Sequence, residues 1–164
     1  NNLSIKEYYG YELVPNLVAE GKKQNKKYKN FHLFNADYLT KEKIHSVDIS
    51  IMSGCFNFKL KENDNYLYIE NVLKKAFENS NYGIAANFIT NRTDFKEDLI
   101  FYTDPEKIIN ISYGISRRFT LDHSYFPYEF SIALFKDDSY SKVNPVFNDE
   151  RLNFEKNNPS YSGW

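Results

Sequence analysis

The chain has 164 residues and a mass of 19.4 kDa, the ordinary size of one domain, and its 41% hydrophobic residues can build one core. Aromatic residues make up 18%, with 14 Tyr, 14 Phe and one Trp, which excludes a disordered chain. Lys+Arg is 21 and Asp+Glu 22, a formal net charge of −1. That balance argues against nucleic-acid binding driven by bulk charge, which needs surplus cations to displace counterions.

The one cysteine, Cys55, excludes an internal disulfide and a Cys-rich metal site, and its expected role is a small buried hydrophobe. No apolar run approaches the roughly 20 residues that cross a bilayer. The opening Asn1-Asn2-Leu3-Ser4-Ile5-Lys6 is not a signal peptide. The expectation is a soluble cytoplasmic protein with neither nucleic acid nor membrane as partner.

No repeat is visible, and no linker divides the first 136 residues. Glu7 to Val14 is short and rich in aromatic and β-branched residues and reads as a buried strand. Pro15 suits a first helical position, and Leu17, Val18, Gly21 and Tyr28 form a thin apolar stripe on a Lys-rich helix. Phe31 to Phe34 is a second strand. Val47 to Met52 is a third, with Val47, Ile49 and Ile51 on one face.

A helix follows from about Asp64 to Asn79, with Tyr66, Ile69, Val72, Leu73, Ala76 and Phe77 at helical spacing. Tyr82 to Ile89 reads as a fourth strand, apolar enough to be covered on both faces. Asp104-Pro105 is an N-cap and Pro start for a third helix bearing Ile108, Ile109, Ser112 and Ile115 along one side. Arg118 to His123 and Tyr128 to Lys136 are last strands, and their short connection makes them an antiparallel pair. From Asp137 the chain turns polar, and Phe147, Leu152, Phe154 and Trp164 are candidates to tack it to the body. Alternating strands and helices predict an α/β fold with a mostly parallel sheet closed by an antiparallel hairpin.

Four stretches carry more than fold. They are Tyr9-Gly10-Tyr11-Glu12, Asn35-Ala36-Asp37, Asp48 to Gly54, and the hairpin from Asp122 to Phe130. In this order the segment from Tyr8 to Lys136 resembles a Rossmann-like class I S-adenosylmethionine-dependent methyltransferase. The resemblance implies a methyltransferase-like domain over residues 1–136 and a polar tail over 137–164. It also implies S-adenosylmethionine as cofactor.

In that family an acid at the end of the second strand accepts from both ribose hydroxyls, and Glu12 matches it. Leu13 follows, placed against the adenine face or in the core. The next strand ends in an acid that accepts from the adenine amino group, matched by Asp37, with Tyr38 as an apolar wall. The alternative for Asp37 is a local Asx turn. The following strand serves the methionine part of the cofactor, matched by Ser53 and Gly54, which alternatively form a plain turn. All lie at the carboxyl ends of parallel strands, where open sheets bind ligands.

The family's opening strand and Gly-rich loop have no counterpart before Tyr8. The resemblance therefore implies a first central strand missing from this chain. Asn1 is expected to be an internal position of a longer chain, with a partner chain or an inactive fragment as alternatives. The reading requires Glu12 to face a cleft and the first three strands to share one sheet.

For a hydroxyl acceptor the candidate general bases are His123 and Asp94, with Glu129 behind them. For His123 the alternative is a surface or locally hydrogen-bonded histidine. His32 and His45 have no nearby ligand partners in sequence, so no metal site is expected. Phe56, Phe58, Tyr102, Tyr125, Phe126 and Tyr128 form either an aromatic rim for a small-molecule or sugar-type acceptor or ordinary packing. Two other readings stay open: a nucleotide-dependent oxidoreductase fragment, and a catalytically inactive methyltransferase-like scaffold that pairs with another chain.

Overall fold

The computed structural model of the protein describes residues 4–61, 64–136 and 156–157. Its elements are β1 (Tyr8–Glu12), α1 (Pro15–Gln24), β2 (Phe31–Asn35), β3 (Val47–Met52) and α2 (Asn65–Glu78), then β4 (Ser80–Ile89), α3 (Pro105–Ile115), β5 (Phe119–Phe126) and β6 (Glu129–Phe135). The polar tail lies, apart from residues 156 and 157, outside the described residues.

The core is set by two periodicities that agree. In β6, Phe130, Ile132 and Leu134 are buried while Ser131 and Ala133 face away, and Ile84, Ala86 and Phe88 do the same in β4. Onto this face α2 lays Ile69, Val72, Leu73 and Ala76, and α3 lays Ile108. Each fully buried Phe, Leu or Ile stabilises by about 1.5–3 kcal/mol. Both helices start on aspartate caps: Asp64 accepts from the Tyr66 amide at 2.8 Å and Asp104 from the Glu106 amide at 2.9 Å.

Four strands form one sheet in the order β3-β4-β6-β5, with β3 parallel to β4 and the β5–β6 hairpin closing it antiparallel. The hairpin is longer on its first arm than the sequence pattern indicates, since β5 runs on to Phe126. Strands β1 and β2 pair in parallel as a separate sheet. The expectation that the first three strands share one sheet is corrected: they form two hydrogen-bonded sheets, because no described strand lies between β1 and β3 to carry the ladder across. The Lys75 ammonium links the halves, donating to the Leu39 carbonyl at 2.6 Å and the Lys41 carbonyl at 2.9 Å.

The expectation that β4 is covered on both faces is corrected. The helices α2 and α3 both pack on the core face. The other face carries Ala85, Asn87, Ser131, Ala133 and Thr120 and forms an open trough of about 410 Å³. The apolar face of β3 looks outward for the same reason: Ile49 is 59% and Ile51 75% exposed.

The other departures sit around the small sheet. Only Gly10 of β1 is buried, so this strand is not the buried one expected. Of the α1 stripe only Val18 is buried; Leu17 is exposed and Tyr28 lies beyond the helix. A two-stranded sheet offers little to bury against. The helix still approaches closely, since a Cβ on Gly21 would come within 2.8 Å of Leu33 Cδ2.

Gly83, at φ +153°, sits where β4 meets β6, and a Cβ there would stand 2.1 Å from the Leu134 carbonyl oxygen. Gly83→Ala is expected to lower unfolding free energy by roughly 3 kcal/mol, from overpacking against backbone plus an unfavourable φ. Urea unfolding of the two proteins checks this; equal midpoints would contradict the packing.

Candidate functional site

The carboxyl ends of β1, β2 and β3 bring Glu12, Asp37 and the Ser53–Gly54 turn to one side of the molecule. Glu12 closes β1 opposite Asn35 of β2, and Asn35 donates to the Glu12 and Leu13 carbonyls, both at 2.9 Å. The half-buried Glu12 carboxylate accepts the Val14 amide through Oε1 at 2.8 Å. A carboxylate has about four lone-pair sites, so capacity for further donors remains. Leu13 is 60% exposed and no part of the core.

Asp37 makes the local turn, its Oδ1 accepting from the Leu39 amide at 2.8 Å. Tyr38 is half-buried, with its ring edge-on to Tyr11 at 5.4 Å and the Lys75 ammonium 5.8 Å from its centre. Burial, helped by neighbouring Tyr11, pushes the Tyr38 hydroxyl up to about 12.

After β3 the chain turns through Ser53 and Gly54, and Phe56 anchors the turn by stacking on Phe88 at 5.3 Å. Phe56 is therefore core rather than rim, at 2% exposed. Gly54 has φ +70°, a left-handed conformation that glycine adopts without penalty. Its amide donates to Asn87 Oδ1 at 2.8 Å, and Asn87 Nδ2 donates to Glu129 Oε2 at 3.2 Å.

Cys55 corrects its expectation: it is exposed, because the turn points it outward while Phe56 takes the core position. Partial burial raises the Cys55 thiol first, and the Glu12 charge raises it further. Tyr68 of α2 is raised by burial, then by Cys55 and Asp37. Cys55 is thus within electrostatic reach of Glu12 and of Tyr68, and Tyr68 within reach of Asp37.

The base candidates lie around the hairpin. His123 is exposed, and its Nε2 sits 3.2 Å from the Pro127 carbonyl oxygen. A carbonyl only accepts, so Nε2 carries the proton there and Nδ1 is the basic nitrogen. Asp94 is exposed, with the Tyr128 hydroxyl 3.5 Å from its Oδ2. Glu129 is half-buried and held by Asn87. Phe95, Tyr128 and Phe126 meet edge to face, at 6.0 and 5.7 Å, and Phe58, Tyr125 and Phe126 are exposed. Tyr102 is half-buried, and its hydroxyl accepts the Glu97 amide at 2.9 Å.

Both remaining histidines are engaged elsewhere: His32 Nε2 is 2.8 Å from Glu7, and His45 Nδ1 is 2.9 Å from the Tyr11 hydroxyl and stacks on Tyr9. Among the described residues no cluster of three or more His, Cys, Asp or Glu is placed to hold a metal ion. Among the same residues no helix is long and apolar enough to cross a membrane.

No protein-family model and no curated protein matches the sequence. Solved structures do match in fold. Magnesium protoporphyrin IX methyltransferase (ChlM) from Synechocystis PCC 6803 with bound SAH superposes with a TM-score of 0.59 at 10% identity, over 79% of this chain and 63% of that one. The same enzyme with bound SAM gives 0.58 at 12%, over 79% and 59%. N-methyltransferase NodS from Bradyrhizobium japonicum WM9 with SAH gives 0.60 at 10%, over 81% and 67%. This is the class I methyltransferase fold. The chain spans less than two thirds of the length of either ChlM chain.

Two residues near these strand ends escape a reading by strand ends alone. Tyr68 lies on α2 and reaches the gap only through the packing of that helix. Asn87 carried a signal, as the one polar side chain in the run from Ile84 to Ile89.

If Glu12 and Cys55 face each other across the gap, Glu12→Gln speeds alkylation of Cys55 by iodoacetamide near neutral pH by roughly two- to threefold. An unchanged rate would separate the two residues.

Tyr38 gives a pH test. Its proton is held more tightly in the folded chain than in the unfolded one, so its contribution is complete below the ordinary value of 10.0 and lost as pH rises through about 12. Allowing for its partial exposure, the loss is about 1–2 kcal/mol. Denaturant midpoints measured across this range should fall more steeply for the wild type than for Tyr38→Phe.

Proposed function

We propose that this chain is the main part of an S-adenosylmethionine-dependent methyltransferase that acts on a small-molecule or sugar-type acceptor by direct displacement. The observation that carries the reading is the half-buried Glu12 carboxylate at the end of β1, whose charge is felt by Cys55 just after the Ser53–Gly54 turn. Glu12 has acceptor capacity for a ribose diol. Asp37 keeps capacity for the adenine amino group beyond its own turn, beside the Tyr38 wall, with Leu13 at the exposed edge. Gly54 presents no side chain to a close ligand, and a Cβ there would find only Asn57 within 4 Å, at 3.9 Å.

The cofactor, when bound, supplies an electrophilic methyl group on a positively charged sulfur. The chain's task is chiefly alignment, which can supply most of the rate. The acceptor's lone pair takes the methyl group as the carbon–sulfur bond breaks toward sulfur. The acceptor's proton passes to a base of this chain: Nδ1 of His123, Asp94 or Glu129. The near-neutral charge and the aromatic side chains at the hairpin favour a small molecule over a polynucleotide, and the single cysteine suits a cytoplasmic enzyme.

The bare edges of β1 and β3 belong to the same proposal. A further parallel strand between them, from a longer form of the chain or from a partner, would join the two sheets into one. Those edges also favour a second reading, a partner-dependent subunit without activity of its own.

Titration calorimetry with S-adenosylhomocysteine, S-adenosylmethionine and NAD separates these cases. Either sulfur compound is expected to bind, and Glu12→Ala to weaken it by roughly 10- to 100-fold, the equivalent of one or two hydrogen bonds to a charged group. Binding of NAD alone would support an oxidoreductase instead, and binding of none would leave the scaffold.

A further inference from the structure

Asn87 stands near the carboxyl end of β4. Strand alternation sends Ala86 and Phe88 into the core and leaves Asn87 half-buried on the opposite face. Asparagine is a poor strand residue, yet both ends of this amide are used. Oδ1 accepts the Gly54 amide at 2.8 Å, and Nδ2 donates to Glu129 Oε2 at 3.2 Å. The partners dictate that orientation, since a backbone N–H only donates and an ionised carboxylate only accepts.

The two partners belong to different sides of the site. Gly54, at φ +70°, is the turn that ends β3. Glu129 opens β6 directly after the hairpin turn, paired with Ile89 at the end of β4. Three neighbouring strand ends are thus tied by one side chain. A neutral amide is the group that can do this: an aspartate would set a second carboxylate against Glu129, and an alanine would leave both partners without it.

We propose that Asn87 is a positioning residue of the site, a crossbar that holds the Ser53–Gly54 turn in the shape that receives the cofactor's methionine end and, through the same amide, aims the Glu129 carboxylate at the acceptor side. The inference rests on the methyltransferase reading and adds to it the residue that couples its two halves. Asn87 need touch neither reactant. Its effect passes through Gly54 and Glu129.

The test is S-adenosylhomocysteine affinity by calorimetry, with melting temperature measured in parallel, for wild type, Asn87→Ala, Asn87→Asp, Glu129→Gln and the double variant N87D/E129Q. Asn87→Ala should weaken binding about tenfold. Asn87→Asp should also weaken it, because two carboxylates then oppose each other. Glu129→Gln alone should stay within about threefold, since its carbonyl still accepts from Asn87. In the double variant the introduced carboxylate accepts from both Gly54 and the new amide, and affinity should return to within about threefold of wild type.

A general packing role would not produce that rescue. Should the double variant bind no better than Asn87→Asp, or Asn87→Ala bind as wild type does, the inference falls while the methyltransferase reading stands. If Asn87→Ala fails to fold, the comparison of Asn87→Asp with the double variant decides. If wild type binds no S-adenosylhomocysteine, the methyltransferase reading falls and this inference with it.

Discussion

Backbone pairing is the constraint on which the rest of this structure depends. A buried strand must satisfy its N–H and C=O groups on both sides, and β4 and β6 do so within the four-stranded sheet. Among the described residues, strands β1 and β3 each pair on one side only. The consequence is a molecule of one well-built half and one light one. The strong half buries Phe88, Phe130, Leu134 and Leu73 completely, while the light half rests on a two-stranded sheet, a sparsely buried helix and the grip of Lys75 on the loop after β2.

That asymmetry divides the candidate site. Ligand-facing groups collect at the strand ends because backbone there leaves the ladder and side chains become free to point at a ligand. Glu12, Leu13, Asp37 and Tyr38 belong to the light half, and His123, Asp94 and Glu129 to the strong one. The turn at Gly54 lies between them. Phe56 ties that turn down into the core and Asn87 ties it sideways to the hairpin, so a piece of backbone in the left-handed conformation is held from two directions. The candidate bases differ in the same way. Glu129 is gripped by a neighbouring strand, while His123 and Asp94 have only partners around the hairpin turn, one of them at 3.5 Å.

Much of the fold was legible because it depends on local periodicity. The alternation of Phe130, Ile132 and Leu134, the helical spacing of Ile69, Val72, Leu73 and Ala76, and the Asp64 and Asp104 caps each point to an element without reference to anything distant. The strand-end positions of Glu12, Asp37 and Ser53 follow from those elements. The surroundings of the site were less legible. Cys55 and Phe56 are adjacent, and nothing local says which enters the core; the direction of the Gly54 turn decides that Phe56 does. Ile49 and Ile51 look like core from composition alone, yet they are exposed because no described helix covers that face.

By itself the sequence determined the kind and order of the elements, the antiparallel closing hairpin and the acids at the strand ends, since these follow from side-chain period, caps and turn residues within about ten positions of one another. Only the tertiary structure decided that the strands divide into two sheets, that one face of the larger sheet is open, and that Asn87 joins Gly54 to Glu129. Those are relations between residues far apart in sequence, 33 and 42 positions for the two Asn87 bonds. They are set by which backbone edges find partners and which side chains fill the space between helix and sheet, and no local pattern encodes either.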